Sequence, residues 1–451
     1  MKMKIMINLK AYIKHGLMVC ALFFAMSSLA QDKKWTLQEC VNYALEHNIT
    51  VKQSENALLI NEQDIIAAKG NFLPSVSASA SQGLSLGTSL VAQGIFANRT
   101  SHSTSLGLSV SQSVFNGFRN INTYKQSQLN LEVNQLELAR IKDDISLNVV
   151  NAYLNVLFNK ENLETAQAQN DFSEKQLQQV KDLVDAGVQP RVNIFDAEAT
   201  LSRDSQQVTI AENNFNLALL SLSQLLQVPF NGFNVQIIDV DTPSEAMLYN
   251  NVTPILNYAL ENRNEIKIAK KNIENAQVST EISKSGYLPN VSFSYGLGTN
   301  AFYSNLIDNE QAFLEQLNDN KGHSFNLSIG IPIFSRFQNK TAVAKSKIRE
   351  ANSKLSLDQA KLDLESNIQR AYTDAQAALK AYIAAKRSLE SQELAFENSK
   401  ERYDIGSMTS FDLEQARVQL INSQSSLINA KYDFVFKTKV LDFYMGKSLT
   451  N

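Results

Sequence analysis

Two spacings alternate along this chain. From Asn120 to Ala186, and again from Asn339 to Ile405, neither glycine nor proline occurs and apolar residues step by three and four. Leu138, Ile141, Ile145, Val149, Ala152 and Val156 mark one face of the first stretch; Leu357, Ala360, Leu364, Ile368, Ala371 and Ala375 mark the same face of the second. That period predicts two helices of about 67 residues, each closed by a glycine, Gly187 or Gly406, the residue best suited to end a helix. At about 1.5 Å per residue each would run about 100 Å. The stripe is narrow and its flanks are rich in Gln, Asn, Lys and Glu, the pattern of helices packed side by side in a layer. Beyond each glycine a shorter helix returns, from about Val192 to Val228 and from about Phe411 to Gly446. Each pair is a long antiparallel hairpin, 120–228 and 339–446.

In the windows 70–117 and 286–330 the period drops to two. Eleven of the sixteen glycines fall there, so helix-breaking residues collect where the helical pattern stops. Val76, Ala78 and Ala80 alternate with serines, and Leu106, Leu108 and Val110 alternate with Gly107, Ser109 and Ser111. Val291, Phe293, Tyr295 and Leu297, then Phe325, Leu327, Ile329, Ile331 and Ile333, repeat the pattern. These predict four strands of about ten residues in two pairs, 72–82/104–115 and 287–298/323–334, each with one apolar and one small-polar face. A sheet over a soluble core and a lipid-facing barrel both fit such strands. The Ser, Asn and Gly faces suit a watery lumen. The aromatics Phe72, Phe115, Phe118, Tyr287, Phe334 and Phe337 cluster where strands meet helices, as an interfacial girdle does, and the barrel is preferred. Four strands cannot close a barrel and an open edge in lipid leaves backbone groups unsatisfied, so the missing strands have to come from other copies.

The chain is also written twice. Phe72-Leu73-Pro74-Ser75-Val76-Ser77 returns 215 positions later as Tyr287-Leu288-Pro289-Asn290-Val291-Ser292, and Asn42-Tyr43-Ala44-Leu45-Glu46 returns as Asn257-Tyr258-Ala259-Leu260-Glu261. From Leu108 and Ser109 onward the offset is 219, pairing Phe115, Phe118, Asn120, Tyr153 and Gly187 with Phe334, Phe337, Asn339, Tyr372 and Gly406. Units this long are domains rather than solenoid turns. The organisation is a first repeat over 31–228, a linker over 229–254, a second repeat over 255–446 and a tail over 447–451. The four extra residues mark a tolerant loop, and 83–104 and 298–323 are expected as surface loops.

Residues 1–30 read as a secretory signal: Lys2, Lys4, Lys10 and Lys14, an apolar core from Gly16 to Ala25, and a Ser28-Leu29-Ala30 cleavage site. The alternative, an N-terminal anchor, needs about 20 apolar residues. Cys20 lacks the small preceding residue of a lipidation site. Removal of the signal takes the net charge from −3 to −7, against a nucleic-acid partner, and leaves Cys40 as a lone cysteine on a helix face with no disulfide available. No later run is apolar enough for a transmembrane helix. His47, His102 and His323 stand at no metal-ligand spacing, and cofactor and nucleophile motifs are absent from the sequence, so neither an enzyme nor a cofactor is expected.

Export signal, duplicated halves, two strands per half and very long hairpins together resemble the TolC-like outer-membrane efflux family over nearly the whole mature chain, from about Trp35 to Gly446. The local motifs are a Leu-Pro-x-Val-Ser strand entry, a Phe-x-x-Phe strand exit and a glycine with a polar helix start at each tip. The resemblance implies a mainly α protein with a transmembrane β-barrel. Three chains would form a twelve-stranded barrel in the lipid of a Gram-negative outer membrane, continuous with a twelve-helix periplasmic tunnel. It implies an exit duct for small molecules or proteins, served by a periplasmic adaptor and an inner-membrane RND or ABC transporter. It places the adaptor contacts at the tips, Gly187, Val188, Gly406 and Ser407. It places the periplasmic gate near Asp412 and Gln415, with Asn193 and Asp196 in the first hairpin and Tyr403 as the aromatic that ties the helices shut. Gln415 and Asn193 depart from the family's acids, and Met408 stands where the family has a basic partner, with Arg402 or Arg191 as substitutes. Three Asp412 carboxylates at one height would attract cations, and pore-lining is the preferred reading of Asp412 over a first-turn acid complementing the helix dipole; for Asp196 the two readings stand level. A trimeric coiled-coil structural protein or adhesin is the main alternative, and it needs no membrane-length strand pairs; a porin-like channel working alone needs no hairpins of this length.

Overall fold

The computed structural model describes residues 34–237, 249–307 and 311–449. The signal segment with Cys20, part of the linker and the last two residues lie outside them. The chain divides into two compact units.

The first unit takes in 34–52, Arg140–Arg263 and 363–449. It begins with a two-residue strand β1 (Lys34–Trp35) and helix α1 (Leu37–His47), started by a capping box in which Thr36 and Glu39 satisfy each other's backbone N–H groups, at 3.2 and 2.9 Å. Most of α2 (Ile49–Gly70) belongs to the other unit. The long helix α3 (Arg119–Asp185) returns as α4 (Val192–Leu226), followed by β4 (Asn234–Val235) and α5 (Thr253–Asn262). The second hairpin is α8 (Gln338–Asp404) and α9 (Ser410–Tyr444). The 3.6-period stripe is the packed face: Ile145, Val149 and Val156 on α3 and Leu364, Ile368 and Ala375 on α8 are buried, and the stripe's other members are half-buried. Ala378, Leu379 and Tyr382 of α8 pack with Phe434 of α9, the two rings stacked at 6.1 Å. Free Cys40 is buried on α1.

The linker contributes an element too short to show a period. β4 pairs in parallel with β1, Lys34 opposite Asn234 and Trp35 opposite Val235. Buried Tyr153 holds this join, its hydroxyl donating to Gln236 O at 2.5 Å and Trp35 O at 3.4 Å. Burial, aided by nearby Cys40 and Glu39, pushes the phenol's pKa well up and keeps that proton in place.

The second unit, Gln53–Ala139 and Asn264–Leu362, carries the sheet. Its strands are β2 (Ser75–Ala92), β3 (Ile95–Asn116), β5 (Asn290–Ser304) and β6 (Gly322–Gly330), antiparallel in that order, with α6 (Asn264–Lys284) before β5 and a short α7 (Phe313–Asp319) before β6. β2 and β6 are the two open edges. One face is apolar and exposed, with Val76, Leu84, Phe325, Leu327 and Ile329 each more than 60% accessible. The other is a ladder of small polar groups in which Ser75 and Ser77 meet Ser111 and Ser109 hydroxyl to hydroxyl at 2.7 Å.

Three expectations need correction. Residues 83–104 are not a loop: the alternation continues through Leu84, Leu86 and Leu90, and β2 joins β3 across Gln93-Gly94, where Gly94 at φ +78° supplies the left-handed second position of the turn. Glycines 83, 87 and 94 disguised a continuous hairpin. In the second repeat β5 runs on to Ser304, and the four extra residues fall between it and β6. There the unpaired edge of β5 is covered by side-chain amides, Phe302 N–H donating to Gln316 Oε1 at 2.8 Å and Asn320 Nδ2 to Asn300 O at 2.7 Å. The fourth strand, expected through Phe334, stops at Gly330.

Candidate functional site

Both hairpin tips are built by one backbone device. α3 ends with Gly187 at φ +75° and α8 with Gly406 at φ +76°. Gly187 N–H donates to Val184 O and Val188 N–H to Leu183 O, both at 2.9 Å; Gly406 N–H donates to Tyr403 O at 2.9 Å and Ser407 N–H to Arg402 O at 2.8 Å. This 5→2, 6→1 pattern needs a left-handed residue, which glycine supplies without a Cβ penalty. Around the turns apolar side chains face solvent: Val188 69% exposed, Val192 58%, Phe195 61%, Ile405 79% and Phe411 75%. Exposed apolar side chains thus collect at both turns.

The side chains just past the tips fall into two groups. Asn193, Asp196 and Tyr403 line one hollow of about 360 Å³ together with Arg203, Phe411 and Glu414. Across it Asn193 Nδ2 donates to Gln189 Oε1 at 3.2 Å and Gln189 Nε2 to the Tyr403 hydroxyl at 3.5 Å, so Tyr403 is linked to the first hairpin through Gln189. Asp412 and Gln415, both exposed, line a separate open hollow of about 650 Å³ with Arg402, Ser407 and Met408. Asp412 also starts α9: its N–H donates to Thr409 Oγ1 at 3.2 Å, and that hydroxyl donates to Asp412 Oδ2 at 2.6 Å. In the first hairpin Arg191 at the start of α4 makes no side-chain cap.

The principal ionic device near the tips lies elsewhere. Arg417 of α9, 2% exposed, donates to Asp204 Oδ2 at 2.8 Å and Ser173 Oγ at 3.1 Å, and grips Glu414 through Nε at 2.9 Å and a second nitrogen at 3.1 Å. Asp204 accepts from Ser173, and Glu414 pairs with Arg203. Two cations and two carboxylates thus tie α3, α4 and α9 around one buried guanidinium. Burial works against its charge, and the hydrogen bonds to Glu414 and Asp204 more than offset that, holding its pKa above its ordinary value. Among the described residues neither Arg402 nor Arg191 pairs with Asp412. The signal for Arg417 was present: Leu413, Arg417 and Leu420 step by four and three along the buried face of α9, and a charge on such a stripe demands a partner.

In the sheet unit the aromatic positions form matched corners. Phe115 and Phe118 meet edge to face at 5.1 Å, and Phe334 and Phe337 at 5.8 Å. Phe72, Phe118, Tyr287, Phe334 and Phe337 are each at least 44% exposed. The amide of Asn120 donates to Asn71 O at 2.9 Å, and that of Asn339 donates to Gly286 O, the equivalent carbonyl. One asparagine per repeat therefore fastens strand entry to strand exit. Among the described residues no cluster of His, Cys, Asp or Glu is placed to hold a metal ion, and no helix is apolar enough to cross a membrane.

An open antiparallel sheet with one apolar exposed face and two very long helical hairpins are the parts of an outer-membrane channel protomer. The chain belongs to the outer membrane efflux protein family, which it matches over residues 40–227 and 255–447; its place is the outer membrane. It is similar to the outer membrane protein TolC of Vibrio cholerae (20% identical over 69% of each chain) and to the outer membrane efflux protein BepC of Brucella suis (20%, over 90% of this chain and 84% of that one). The crystal structure of the outer membrane protein VceC from Vibrio cholerae shares the fold, with a TM-score of 0.72 at 18% identity over 92% of this chain and 96% of that one.

Proposed function

We propose that three copies of this chain close a twelve-stranded barrel in the outer membrane, above a periplasmic tunnel of twelve helices. This assembly serves as the passive exit duct of an efflux or type I secretion system. The observation that carries the reading is the sheet itself: four strands, two open edges and an exposed apolar face, a protomer that lipid tolerates only when its edges meet further copies. The exposed apolar tips around Val188 and Phe411 fit a periplasmic adaptor that hands over cargo from an inner-membrane RND or ABC transporter. No chemical step belongs to this role. Asp412, Gln415, Asn193, Asp196 and Tyr403 are read as the constriction at the periplasmic end, braced by the Arg417 cluster. Purified protein reconstituted into a planar bilayer should give ion-conducting steps that grow when the brace is removed by Arg417→Met. A coiled-coil stalk or adhesin would leave the bilayer silent, and silence from correctly assembled trimers refutes the duct.

A further inference from the structure

Resting on the three-copy reading, we infer the register of the seam between copies: β6 of one copy pairs with β2 of the next with Ser328 opposite Ser81, Phe325 opposite Leu84 and His323 opposite Leu86. The internal repeat supplies this. Nine consecutive β2–β3 pairs, from Ser75 opposite Ser111 to Gly83 opposite Ser103, become the nine β5–β6 pairs, Asn290 opposite Gly330 to Gly298 opposite Gly322, when 215 is added to the first member and 219 to the second. No pair deviates. The two hairpins are thus equivalent residue by residue, and the join between them within one chain, β3 to β5, is the template for the join from β6 to the next copy's β2.

Applying the same offsets to the β3–β5 pairs gives the seam. Ser109 opposite Gly296 becomes Ser328 opposite Ser81; Leu106 opposite Thr299 becomes Phe325 opposite Leu84; Thr104 opposite Ala301 becomes His323 opposite Leu86. The chemistry of both faces survives the transfer. Serine meets serine on the polar face, while Phe325 (72% exposed), Leu84 (61%) and Leu86 (71%) come together on the apolar one. A slip of one residue would turn those leucines toward the lumen.

The transfer also accounts for where β6 stops. β3, with its partner strand in the same chain, continues through Phe115 opposite Val291 to Asn116. The equivalent Phe334 would lie opposite Val76 of the next copy, and within one chain that segment has no strand beside it, so Ile331, Ile333 and Phe334 stand 64–94% exposed. Pro332 falls at the equivalent of Ser113, next to the register shift in β3, a position where a missing N–H is tolerated.

Paired cysteines test this in full-length protein carrying Cys40→Ser. Within one chain, positions 81 and 328 lie on the two outer strands, at least three strand spacings or about 14 Å apart across the sheet and further apart along it. That is beyond the roughly 7 Å Cα limit of a disulfide, so any disulfide joins two copies. Ser81→Cys with Ser328→Cys should convert the monomer band on a non-reducing gel to two- and three-copy species. The slipped pairs Ser79→Cys/Ser328→Cys and Leu84→Cys/Leu327→Cys should leave it. If glutaraldehyde still traps trimers while the 81/328 pair stays monomeric, or a slipped pair crosslinks instead, the register is overturned and the duct reading stands. If glutaraldehyde traps only monomers from the membrane, both fall.

Discussion

In the first repeat the corner after the strand pair turns on Gly117 at φ +67°; in the second the same corner is Arg336 at φ +49°, followed in each case by a left-handed phenylalanine, Phe118 or Phe337. In the first repeat the hairpin closes in two residues at Gly94; in the second the equivalent stretch opens into a loop with its own helix. At the tips the second repeat supplies Arg417 to a buried ionic cluster, whereas its counterpart in the first is Glu198, half exposed beside Lys181 at 3.8 Å. Where strands pair and long helices pack, the repeats agree residue by residue. They part in the connections between paired strands, at the strand-exit corner and at the hairpin tips.

The largest test of that contrast is the buried guanidinium. Arg417→Met strands Asp204, itself only 8% exposed, without its cation, and removing one partner of a buried pair costs about 3–5 kcal/mol. Glu198→Gln, at the equivalent position, breaks an exposed pair worth about 0–1 kcal/mol. Denaturant unfolding of the two variants in detergent should differ accordingly, and Arg417→Met/Asp204→Asn should recover part of the loss. Equal effects from both single variants would mean that the cluster gives no asymmetric bracing.

Much of this architecture was legible in the residues. Helices α3 and α8 are announced by 67-residue stretches without Gly or Pro, because only a helix satisfies so long a backbone on its own. The strand pairs show as period two, and the tips as Gly187 and Gly406. The outer hairpin is hidden because glycines at 83, 87 and 94 read as loop chemistry, although the leucines between them keep the alternation. The join of β1 to β4 is two residues long, too short for any period to register, and depends on Tyr153, whose partners are backbone carbonyls remote in sequence. At the tips the acids Asp412 and Asp196 stand out as charges early in a helix, while Arg417 sits on an apolar stripe. The stripe marks it as a buried charge that needs a partner, but which partners it finds, Ser173, Asp204 and Glu414, is set by packing between helices.

An intermediate effect is expected at the strand-exit corner, and it should be lopsided. A Cβ at Gly117 would lie 2.6 Å from Ser285 O and 2.9 Å from Leu288 Cβ, so Gly117→Ala should lower stability by about 1–3 kcal/mol through overpacking. Arg336 already pays a left-handed penalty of about 1–2 kcal/mol. Arg336→Gly removes it, less about 0.5–1 kcal/mol for glycine's extra freedom when unfolded, and should change stability by about 0 to 1.5 kcal/mol in the stabilising direction. Urea midpoints measured side by side decide it; a loss from Arg336→Gly would show that the arginine side chain, and not the backbone, sets that corner.

The smallest effect separates two roles for one carboxylate. Asp412 completes the cap of α9 with Thr409, and a first-turn acid is worth about 0.3–1 kcal/mol to its helix. If that were all, Asp412→Asn would cost no more than Thr409→Ala, which removes the cap itself at about 1 kcal/mol, and neither would alter what passes through the duct. A carboxylate that also faces the axis is repeated by every copy, and its charge acts on ions even when its helix hardly registers the loss. Asp412→Asn should therefore reduce the cation preference read from reversal potentials, Thr409→Ala should leave that preference in place, and Asn193→Asp, giving the first hairpin the acid it lacks, should raise it. A reversal potential unmoved by Asp412→Asn, with a stability change matching Thr409→Ala, would assign the carboxylate to the helix alone and shift the constriction to the hollow shared by Asn193, Asp196 and Tyr403.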